Sequence, residues 1–512
     1  MGPHLFTPLE INQQEIANRI CFLAHRTNFA VNGKMNDRLM AYYRRRSQGG
    51  CGLIIVGELS VHSHNLPWST TIKAYQPEIV PDYKRLVDSI HQFDSAIFAQ
   101  LTHHGFQSGG AVTRQAIWGP SPMADVGFNE TAKVMETGDI EEIVSAFAQS
   151  AEFVREGGFD GLEINMGQDA LLRQFLSNIT NQRQDEYGGS LDNRLRFPLQ
   201  VVKAVRKAVG DDFPVGVRLS ADEMAYGGIE PEESSEMARI LAESGTADFI
   251  EISLGTYYNQ QIVQPSMHTP FGYSLDTPRQ IKEAVNVPVI AAHQIKMPKM
   301  GEEAIASGGA DAVGLVRDLI CDPDLPQKIQ AGKLDEIRHC LKDNTGCIAR
   351  IGQSQPLSCV QRPSVGYEPV ADELELAPAN PKKKIMIIGS GPAGMEAALT
   401  AGLRGHQVTI YEKGNQLGGQ LNLSDKGAGR QPVGELRRYL SDRLEKLNIE
   451  IKTGIEVSPE LVVDQKPDAV VVATGSIPKA KPIPGDYGPP FVLNVWDVLS
   501  EKYAVGEKVL FV

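Results

Sequence analysis

The run GLIIVGE (residues 52–58) sets four large apolar residues in a row and ends on a glutamate. It is too short for an ordinary helix and lacks the alternation of a strand with one wet face, so it predicts a strand covered on both faces. Seven runs of the same kind lie between residues 19 and 316. They are RICFLA (19–24), AIFAQL (96–101), GLEIN (161–165), PVGVRL (214–219), FIEISL (249–254), PVIAA (288–292) and AVGLV (312–316).

Most of the eight runs are followed by a polar loop and a helix-like segment, such as EIVSAFAQSAEFVREGG (142–158). Alternating strands and helices indicate a parallel sheet, and eight such units in roughly 300 residues are typical of a TIM barrel. We therefore predict an α/β chain whose residues 1–325 form a (β/α)8 TIM barrel. An open, doubly wound sheet is the alternative that the pattern leaves open.

Barrels of this kind carry their chemistry at the carboxyl ends of the strands. The predicted strand ends hold more polar side chains than a core requires, namely Arg26, Glu58, Gln100, His103, Asn165, Gln168, Arg218, Tyr257, His293 and Arg317. The last two ends read AAHQI and GLVRDLICDP, and this fold often binds a phosphate there on backbone N–H groups.

A second domain is predicted over residues 382–512. The connecting region before it, residues 326–381, holds three of the six cysteines, and it leads into VADELELAPANPKK (370–383). That acidic loop with its prolines is typical of a linker. The next stretch, KIMIIGSGPAGMEAALTAG (384–402), runs from an apolar strand into a glycine loop and then an alanine-rich helix.

The glycine loop has the spacing of a dinucleotide site. Gly389, Gly391 and Gly394 form the pattern G-x-G-x-x-G, and Glu412 ends the following strand (408–411). The glycines admit a pyrophosphate close to the backbone, and the acid would bind an adenosine ribose, so we predict a Rossmann-like FAD/NAD(P)-binding domain. The chain ends at EKVLFV (507–512), where another strand would begin, so we interpret the sequence as truncated inside that domain.

The composition excludes several classes of partner. A formal net charge of −13 argues against nucleic acid, because phosphate contacts need a basic surface. No apolar run approaches the roughly 18 residues that cross a bilayer, and the N-terminus lacks the basic and apolar regions of a signal peptide. We expect a cytoplasmic protein that acts on a small molecule and binds neither nucleic acid nor membrane. Homo-oligomerisation stays open.

Several stretches together resemble one family. The most specific is FLSNITNQRQDEYGGSLDNRLRF (175–197), and LFTPLEI (5–11), YYRRRSQGGCGLII (42–55), QLTHHG (100–105) and GADAVGLVRDLICDPDLPQK (309–328) agree with it. The chain resembles the old yellow enzyme-like NADH:flavin oxidoreductases, in the multidomain branch with 2,4-dienoyl-CoA reductase and trimethylamine dehydrogenase. The resemblance covers essentially all 512 residues.

The resemblance implies FMN at the top of the barrel. The implied contacts are Arg26 and Thr27 beside the N5/O4 edge, Gln100 at the pyrimidine edge, Arg218 near N1, and the backbone around His293 and Gly314 at the phosphate, with Arg317 paired to it. A cation near N1 would stabilise the anionic reduced ring.

The chain also departs from the family. Where the dienoyl reductases have a tyrosine proton donor, this sequence has Ala170, and Asn165 and Gln168 stand where related members have histidines. These three residues are the expected substrate pocket. A histidine of the reductases is replaced by Tyr257, and Arg26 stands at about the position of the cysteine that tethers flavin in trimethylamine dehydrogenase, so no covalent flavin of that kind is expected.

The usual acid is therefore missing. If the reaction needs an enzyme proton, Tyr257, Tyr258 or His103 must supply it, and Arg26 completes the expected catalytic set. Tyr257 can equally be a packing aromatic at the barrel rim.

Three cysteines and one acid are in register with the family's iron–sulfur motif, C-x2-C-x3-C-x11-C. Cys340, Cys347 and Cys359 occupy its first, third and fourth positions, and Asp343 occupies the second. Thiolates are the usual ligands of an Fe–S cluster, and a carboxylate is a harder ligand. The resemblance implies a [4Fe–4S] cluster in which Asp343 holds the unique iron or leaves it labile. A vestigial loop without a cluster is the alternative.

We predict that electrons pass from NAD(P)H through FAD and the cluster to FMN, which reduces an activated C=C bond of an enoate or dienoyl-CoA type substrate. The first alternative is an amine or N-methyl dehydrogenase that passes electrons to an electron-transfer flavoprotein. The second is a non-catalytic electron-transfer flavoprotein.

Overall fold

The computed structural model describes residues 4–127, 129–479, 489 and 491–510. The chain divides into two compact units. The first comprises Met1–Leu334 and Lys342–Pro369, and the second comprises Asp335–Leu341 and Val370–Val512. The predicted connecting region is therefore shared between the two units.

The first unit is built on a closed barrel of eight parallel strands, which confirms the predicted fold. Its first strand pairs with both the eighth and the second strand, so the barrel has no free edge there. The eight strands in chain order are Ile20–Phe22, Leu53–Ser60, Ala96–Thr102, Gly161–Met166, Val215–Asp222, Phe249–Leu254, Val289–Ala291 and Ala312–Leu315.

Helices cover the outside of the barrel. The long ones are Asp37–Gln48, Val80–Ile90, Thr137–Glu156, Leu191–Val209, Pro231–Glu243, Asp276–Ala284 and Lys299–Ala306. Short helices of the chain are Leu171–Leu176, Gln260–Val263, Arg317–Cys321, Leu325–Gln330, Ile348–Gly352 and Glu368–Ala371. Small antiparallel or edge strands lie outside the barrel at Leu9–Ile11, Gln14–Ile16, Ile72–Lys73, Trp118–Gly119 and Lys133–Val134.

The apolar runs form strands because the barrel buries both of their faces. Every residue of the third, fourth and sixth strands is buried. Inside the barrel the rings of Phe98 and Phe249 pack 5.6 Å apart, centroid to centroid. Gly216 makes room for this pair, because a Cβ there would come within 2.1 Å of the Phe249 ring. The core therefore needs a glycine on the fifth strand.

The segment Lys342–Pro369 is hydrogen-bonded to the loop after the first barrel strand and to the first long helix. Leu357 N donates to Thr27 O at 2.9 Å, and Arg38 Nε donates to Gly366 O at 2.7 Å. Arg46 is fully buried and donates to Glu368 Oε1 at 2.6 Å. This segment is therefore part of the barrel unit rather than a loose linker.

The second unit contains a parallel four-stranded sheet. In spatial order its strands are Glu450–Lys452, Gln407–Tyr411, Lys384–Ile388 and Ala469–Val472. Its helices are Pro392–Leu403, Leu421–Ser424, Gln431–Lys446, Pro459–Gln465 and Val495–Leu499. The sheet order places the glycine-loop strand in the interior, as expected for a Rossmann-like domain.

The segment Asp335–Leu341 packs within this second unit. The Arg338 guanidinium lies over the Tyr439 ring at 4.6 Å, and Lys446 Nζ donates to Asp335 Oδ2 and Glu336 Oε1 at 2.9 Å each.

The C-terminal EKVLFV is irregular over residues 507–510, and its last two residues lie outside the described part of the chain. Each helix that the structure describes is too short or too polar to cross a lipid bilayer.

The buried pair Arg46–Glu368 should contribute strongly to the stability of the first unit. Arg46→Leu removes the cation that pairs with the buried Glu368, and breaking a buried ion pair in this way destabilises a protein by about 3–5 kcal/mol. We expect this loss in urea unfolding of the full chain. Arg44→Leu, on the same helix, should change the free energy of unfolding by no more than about 0.5 kcal/mol. Equal effects of the two variants would contradict the assignment.

Candidate active site

The carboxyl ends of the barrel strands surround a cavity of about 470 Å³. Seven residues predicted for catalysis, flavin binding or the substrate pocket line it, namely Arg26, Gln168, Arg218, Tyr257, His293, Gly314 and Arg317. Part of one wall comes from the segment after the barrel, through Lys342, Ile348 and Gly352. The cavity is thus the place where the predicted site residues of the first unit converge.

Five other residues predicted for this site are absent from the lining in the described part of the chain, namely Thr27, Gln100, His103, Asn165 and Ala170. Thr27 and Ala170 are buried, and Ala170 precedes the helix Leu171–Leu176. Asn165 donates to Thr102 Oγ1 at 3.2 Å and accepts from Gly167 N at 3.0 Å. Through these two hydrogen bonds Asn165 stabilises the loop after the fourth strand.

Gln100 belongs to a layer of buried charged groups inside the barrel. It donates to Glu163 Oε1 at 2.6 Å, and Arg218 Nε lies 3.3 Å from Glu251 Oε1. Burial and the neighbouring Glu251 raise the pKa of Glu163, and burial raises the pKa of Glu251. The pair therefore favours one proton over two negative charges, and Arg218, which lines the cavity, has Glu251 as a carboxyl partner in the barrel core.

A second charged network lies on the wall of the cavity itself. Glu58 Oε2 accepts from Arg26 Nη2 at 2.8 Å and from His104 Nε2 at 2.9 Å. His104 Nε2 also lies 3.4 Å from Asp169 Oδ2. The Arg26 guanidinium stacks on the Trp68 ring, 3.0 Å from its centroid. Two cations and two carboxyl groups are thus held together at one side of the cavity.

The charges of this network set the proton affinity of each member. Burial would raise the pKa of Glu58, but Arg26 and His104 outweigh it and hold that pKa below its usual value. Burial would lower the pKa of His104, but Asp169 and Glu58 raise it. Burial raises the pKa of Asp169 despite the nearby His104 cation. These shifts favour an ionised Glu58 and a charged His104, and of the two carboxyl groups Asp169 is the one that holds a proton more readily.

Sequence reasoning singled out His103 and missed His104 and Asp169. His103 is buried, its Nδ1 accepts from Gly105 N at 3.0 Å, and its ring packs near His62. Burial lowers the pKa of His103 well below its ordinary value, so it is neutral. The motif QLTHHG contained the signal, but adjacent residues project in different directions, and the sequence does not say which histidine contacts Glu58 and Asp169.

Tyr257 lines the cavity and lies just after the sixth strand, Phe249–Leu254. Burial raises the pKa of its phenol, and the carboxyl of Asp169 adds to that rise. The phenol is thus protonated at neutral pH. Tyr258 is exposed and does not belong to the described lining.

The other end of the cavity carries Arg317 and His293. Arg317 Nη1 donates to Asn344 Oδ1 at 2.6 Å and to Pro265 O. His293 Nε2 accepts from Leu254 N at 3.1 Å, and burial with the nearby Arg218 and Arg317 lowers the His293 pKa to about 3. His293 is therefore neutral, and Arg317 is the cation available to an anionic group at this end.

The lining suits FMN. It joins Arg218 and Arg317 with apolar side chains such as Leu23 and Ile295, a combination that fits a flat aromatic ring bearing a phosphate. A glycine is also required at position 314, because a Cβ there would lie 2.3 Å from the Leu23 side chain.

Part of the predicted iron–sulfur motif lies in the first unit. Gly346 O accepts from Ser358 N at 2.9 Å, which ties the loop of Cys347 to the loop of Cys359. Burial raises the pKa of Cys347, and Cys359 and Asp343 also raise it while Arg317 opposes them. The two thiols and Asp343 are thus close enough to influence one another. Cys340 belongs to the second unit, in the segment Asp335–Leu341.

The glycine loop of the second unit has the geometry that its spacing predicts. Gly389 has φ +100°, and a Cβ there would lie 2.4 Å from Ala473 O. A Cβ on Gly394 would lie 2.0 Å from Gly389 O, whereas the space around Gly391 is open. The first and third glycines therefore serve close packing, and the second leaves room for a ligand.

Glu412 closes the same loop. Its Oε2 accepts from Ser390 N at 2.9 Å and its Oε1 from Gly414 N at 2.7 Å. Burial would raise the pKa of this carboxyl, but the hydrogen bonds from Ser390 and Gly414 lower it. The loop thus presents an ionised acid at its edge, as ribose binding requires.

Comparison with known proteins gives matches along the whole chain. A family model described as the NADH:flavin oxidoreductase / NADH oxidase family matches residues 4–336, and one described as pyridine nucleotide-disulphide oxidoreductase matches residues 383–506. The chain is 35% identical over 506 residues to an NADH oxidase of Thermoanaerobacter brockii, covering 98% of this chain and 77% of that protein.

Two further proteins are similar over nearly the full chain. An N,N-dimethylglycine/sarcosine dehydrogenase of Chromohalobacter salexigens is 35% identical over 519 residues, covering 99% of this chain and 75% of that protein. A solved 2-naphthoyl-CoA reductase in complex with 2-naphthoyl-CoA superposes with a TM-score of 0.94 at 30% identity, covering 99% of this chain and 79% of that chain.

Alanine at two positions of the glycine loop should separate ligand binding from folding. Gly391→Ala adds a methyl group to open space, so the second unit should keep its stability. If the loop holds a dinucleotide pyrophosphate, that methyl should weaken FAD binding roughly tenfold to hundredfold, since overpacking costs about 1–3 kcal/mol.

Gly394→Ala is the matched control, because its methyl group would meet Gly389 O and should destabilise the second unit. Fluorescence titration with FAD and urea unfolding of the full chain measure both effects. Unchanged FAD affinity in Gly391→Ala would show that no pyrophosphate approaches this loop.

Proposed function

Because the chain belongs to the NADH:flavin oxidoreductase / NADH oxidase family and is an FMN-dependent oxidoreductase, we propose that it uses NAD(P)H to reduce an activated C=C bond. The substrate class is an enoate or an α,β-unsaturated acyl-CoA. This direction is supported by the high structural similarity to a 2-naphthoyl-CoA reductase.

One observation carries the proposal. One cavity is lined by the cation Arg218 and by Asp169 and Tyr257, two acids whose pKa values are raised by burial. Reduction of C=C needs a hydride on one carbon and a proton on its neighbour. FMN supplies the hydride when bound. The residues of this chain supply a fixed cation and a nearby proton source.

The cation has a defined role. Arg218 lies 3.3 Å from the buried carboxyl group of Glu251, and the pKa of the neighbouring Glu163 is raised, so the charge of Arg218 is only partly balanced from the barrel core. A preorganised cation stabilises negative charge that develops in a site shielded from water. Arg218 therefore favours the anionic, reduced form of a bound ring, and Arg317 provides the charge for a phosphate.

Electrons are proposed to reach the barrel from the second unit. FAD at the glycine loop would accept them from NAD(P)H, and an iron–sulfur cluster with Cys340, Asp343, Cys347 and Cys359 as ligands would pass them to FMN. The loop after Cys347 supports this path, because Ile348 and Gly352 line the cavity. The soluble composition favours a cytoplasmic location, and an electron-transfer partner protein belongs to the amine-oxidising alternative.

Anaerobic half-reactions test the proposal on the full chain with FMN, FAD and iron restored. NADH or NADPH should bleach the flavin, and an enoate or enoyl-CoA should restore its colour with formation of the saturated product. If neither nucleotide bleaches the flavin and secondary or tertiary amines do, the protein works in the oxidative direction and the proposal fails.

Substitutions at Asp343 test the cluster. Asp343→Cys completes a four-thiolate set and should raise iron per chain after anaerobic reconstitution, because thiolates are the usual ligands of such clusters. Asp343→Ala should lower it. Thr345→Ala, at an exposed position of the same loop, is the control and should leave iron content unchanged. Equal iron content in all three variants would mean that Asp343 is no ligand.

A further inference from the structure

The cavity lacks the tyrosine that its relatives' pattern places at position 170, so the source of the substrate proton has to be found among the groups present. Several ionisable side chains of the lining are already committed. His25 bonds to Leu23 O and Tyr42 Oη at 2.8 Å each, and Asp318 accepts from Lys342 Nζ. His293 is neutral and accepts a backbone N–H.

Two uncommitted proton carriers remain in the described lining, Asp169 and Tyr257. The carboxyl group of Asp169 has His104 Nε2 3.4 Å away to stabilise it once the proton has left. For Tyr257, the charge of Arg26 is opposed by the carboxyl groups of Asp169 and Glu58. The structure assigns to Asp169 the role of catalytic acid that protonates the substrate carbon, with His104 and Glu58 as positioning residues. This assignment rests on the proposed function.

The backbone holds Asp169 rigidly. Ala170 N donates to Gly167 O at 2.9 Å, and Gln174 Nε2 donates to Asp169 O at 3.1 Å. Asp169 therefore sits in a tight turn between the fourth strand and the helix Leu171–Leu176. Its side chain is nearly buried, at 5% exposure, yet it reaches the cavity. A fixed, desolvated carboxyl group is suited to directed proton transfer.

Hydrogen bonds identify His104 as an imidazolium without recourse to its pKa. Asn65 Nδ2 donates to Thr102 O at 3.3 Å, which orients Asn65 Oδ1 toward His104. That oxygen accepts from His104 N at 2.9 Å and lies 3.1 Å from Nδ1, so Nδ1 carries a proton. On its other side, Nε2 lies against the carboxyl groups of Glu58 and Asp169 and must also donate.

The charge balance then favours proton release from Asp169. Arg26 and His104 are cations and Glu58 is an anion, so the network carries one net positive charge while Asp169 is protonated. Ionisation of Asp169 brings it to neutrality. The carboxylate that forms lies 3.4 Å from His104 Nε2 and is stabilised by it.

FMN, when bound and reduced, would supply a hydride that forms a C–H bond at one carbon of the activated C=C bond. The π electron pair of the C=C bond then takes the proton of Asp169, which forms a C–H bond at the adjacent carbon. FMN is oxidised by two electrons and the substrate is reduced by two. Asp169 becomes a carboxylate and later regains a proton from water, and NAD(P)H restores the flavin.

Asp169→Asn in the loaded full chain isolates this step. Bleaching by NAD(P)H and reoxidation by ferricyanide need no proton on carbon and should keep wild-type rates. Reoxidation by an enoate or enoyl-CoA should slow by roughly 10²–10⁴-fold, the usual contribution of general acid catalysis. Asp160→Asn is the matched control. Asp160 immediately precedes the fourth strand, at the end of that strand remote from Asp169, and accepts a hydrogen bond from Ile97 N there.

Tyr257→Phe decides between the two proton carriers. Wild-type alkene reoxidation in Asp169→Asn, or the large loss appearing in Tyr257→Phe instead, would overturn the assignment.

His104→Gln tests positioning. Without that cation the Asp169 carboxyl group keeps its proton to higher pH, so the alkaline limb of the pH profile of alkene reoxidation should move to higher pH. Arg26, Glu58, His104 and Tyr257 are the charged or titratable groups that face Asp169, and Tyr257→Phe should leave that limb in place.

A readout without flavin separates this proposal from the proposed function. In flavin-free protein, the infrared difference spectrum of wild type minus Asp169→Asn should contain a protonated carboxyl band, and that of wild type minus Asp160→Asn should not. The buried pair Glu163 and Glu251 contributes equally to all three proteins and cancels in both differences. If wild-type protein reduces no activated alkene, the proposed function fails. The difference band then decides the assignment alone: its absence from wild type minus Asp169→Asn rules out Asp169 as the proton carrier.

Discussion

The closure of the barrel is the constraint on which the rest of the first unit depends. Because the strand Ile20–Phe22 pairs with both the eighth and the second strand, all eight carboxyl ends meet at one rim. Side chains that are far apart along the sequence, such as Glu58 and Asp169, thereby come within one hydrogen-bonded network. Closure also buries both faces of each strand, which is why the strand sequences are nearly continuous apolar runs.

A closed barrel with charged groups in its interior needs them to be paired. The structure has two such groupings, one inside the barrel around Arg218 and one at the cavity wall around His104. In each, a basic side chain lies beside one carboxyl group, and burial raises the pKa of a second carboxyl group nearby. Removing one member of a buried ion pair is far more disruptive than replacing the whole group, so each grouping acts as a unit. The cavity therefore contains fixed charges, while the net charge of the barrel interior stays small.

Local sequence signals were sufficient for the barrel, the glycine loop and the acid after it. Short apolar runs and G-x-G-x-x-G carry their structural reason within a few residues, as Gly394 shows by its contact with Gly389 O. The site was only partly predictable. Arg26, Arg218 and Tyr257 reach the cavity, but the choice between His103 and His104 depends on side-chain direction after the strand end. The role of Asp169 depends on partners that come from other strands. Such long-range pairings are set by closure, and no local pattern records them.

The loop that follows Cys347 forms part of the cavity wall through Ile348 and Gly352. Whatever occupies the cavity therefore contacts the same short segment that carries a thiol of the iron–sulfur motif. By thermodynamic reciprocity, an occupant that binds more tightly to one state of this loop must shift the population of that state by the same free energy. For such an occupant, binding in the cavity and the conformation of this loop are two readings of one equilibrium.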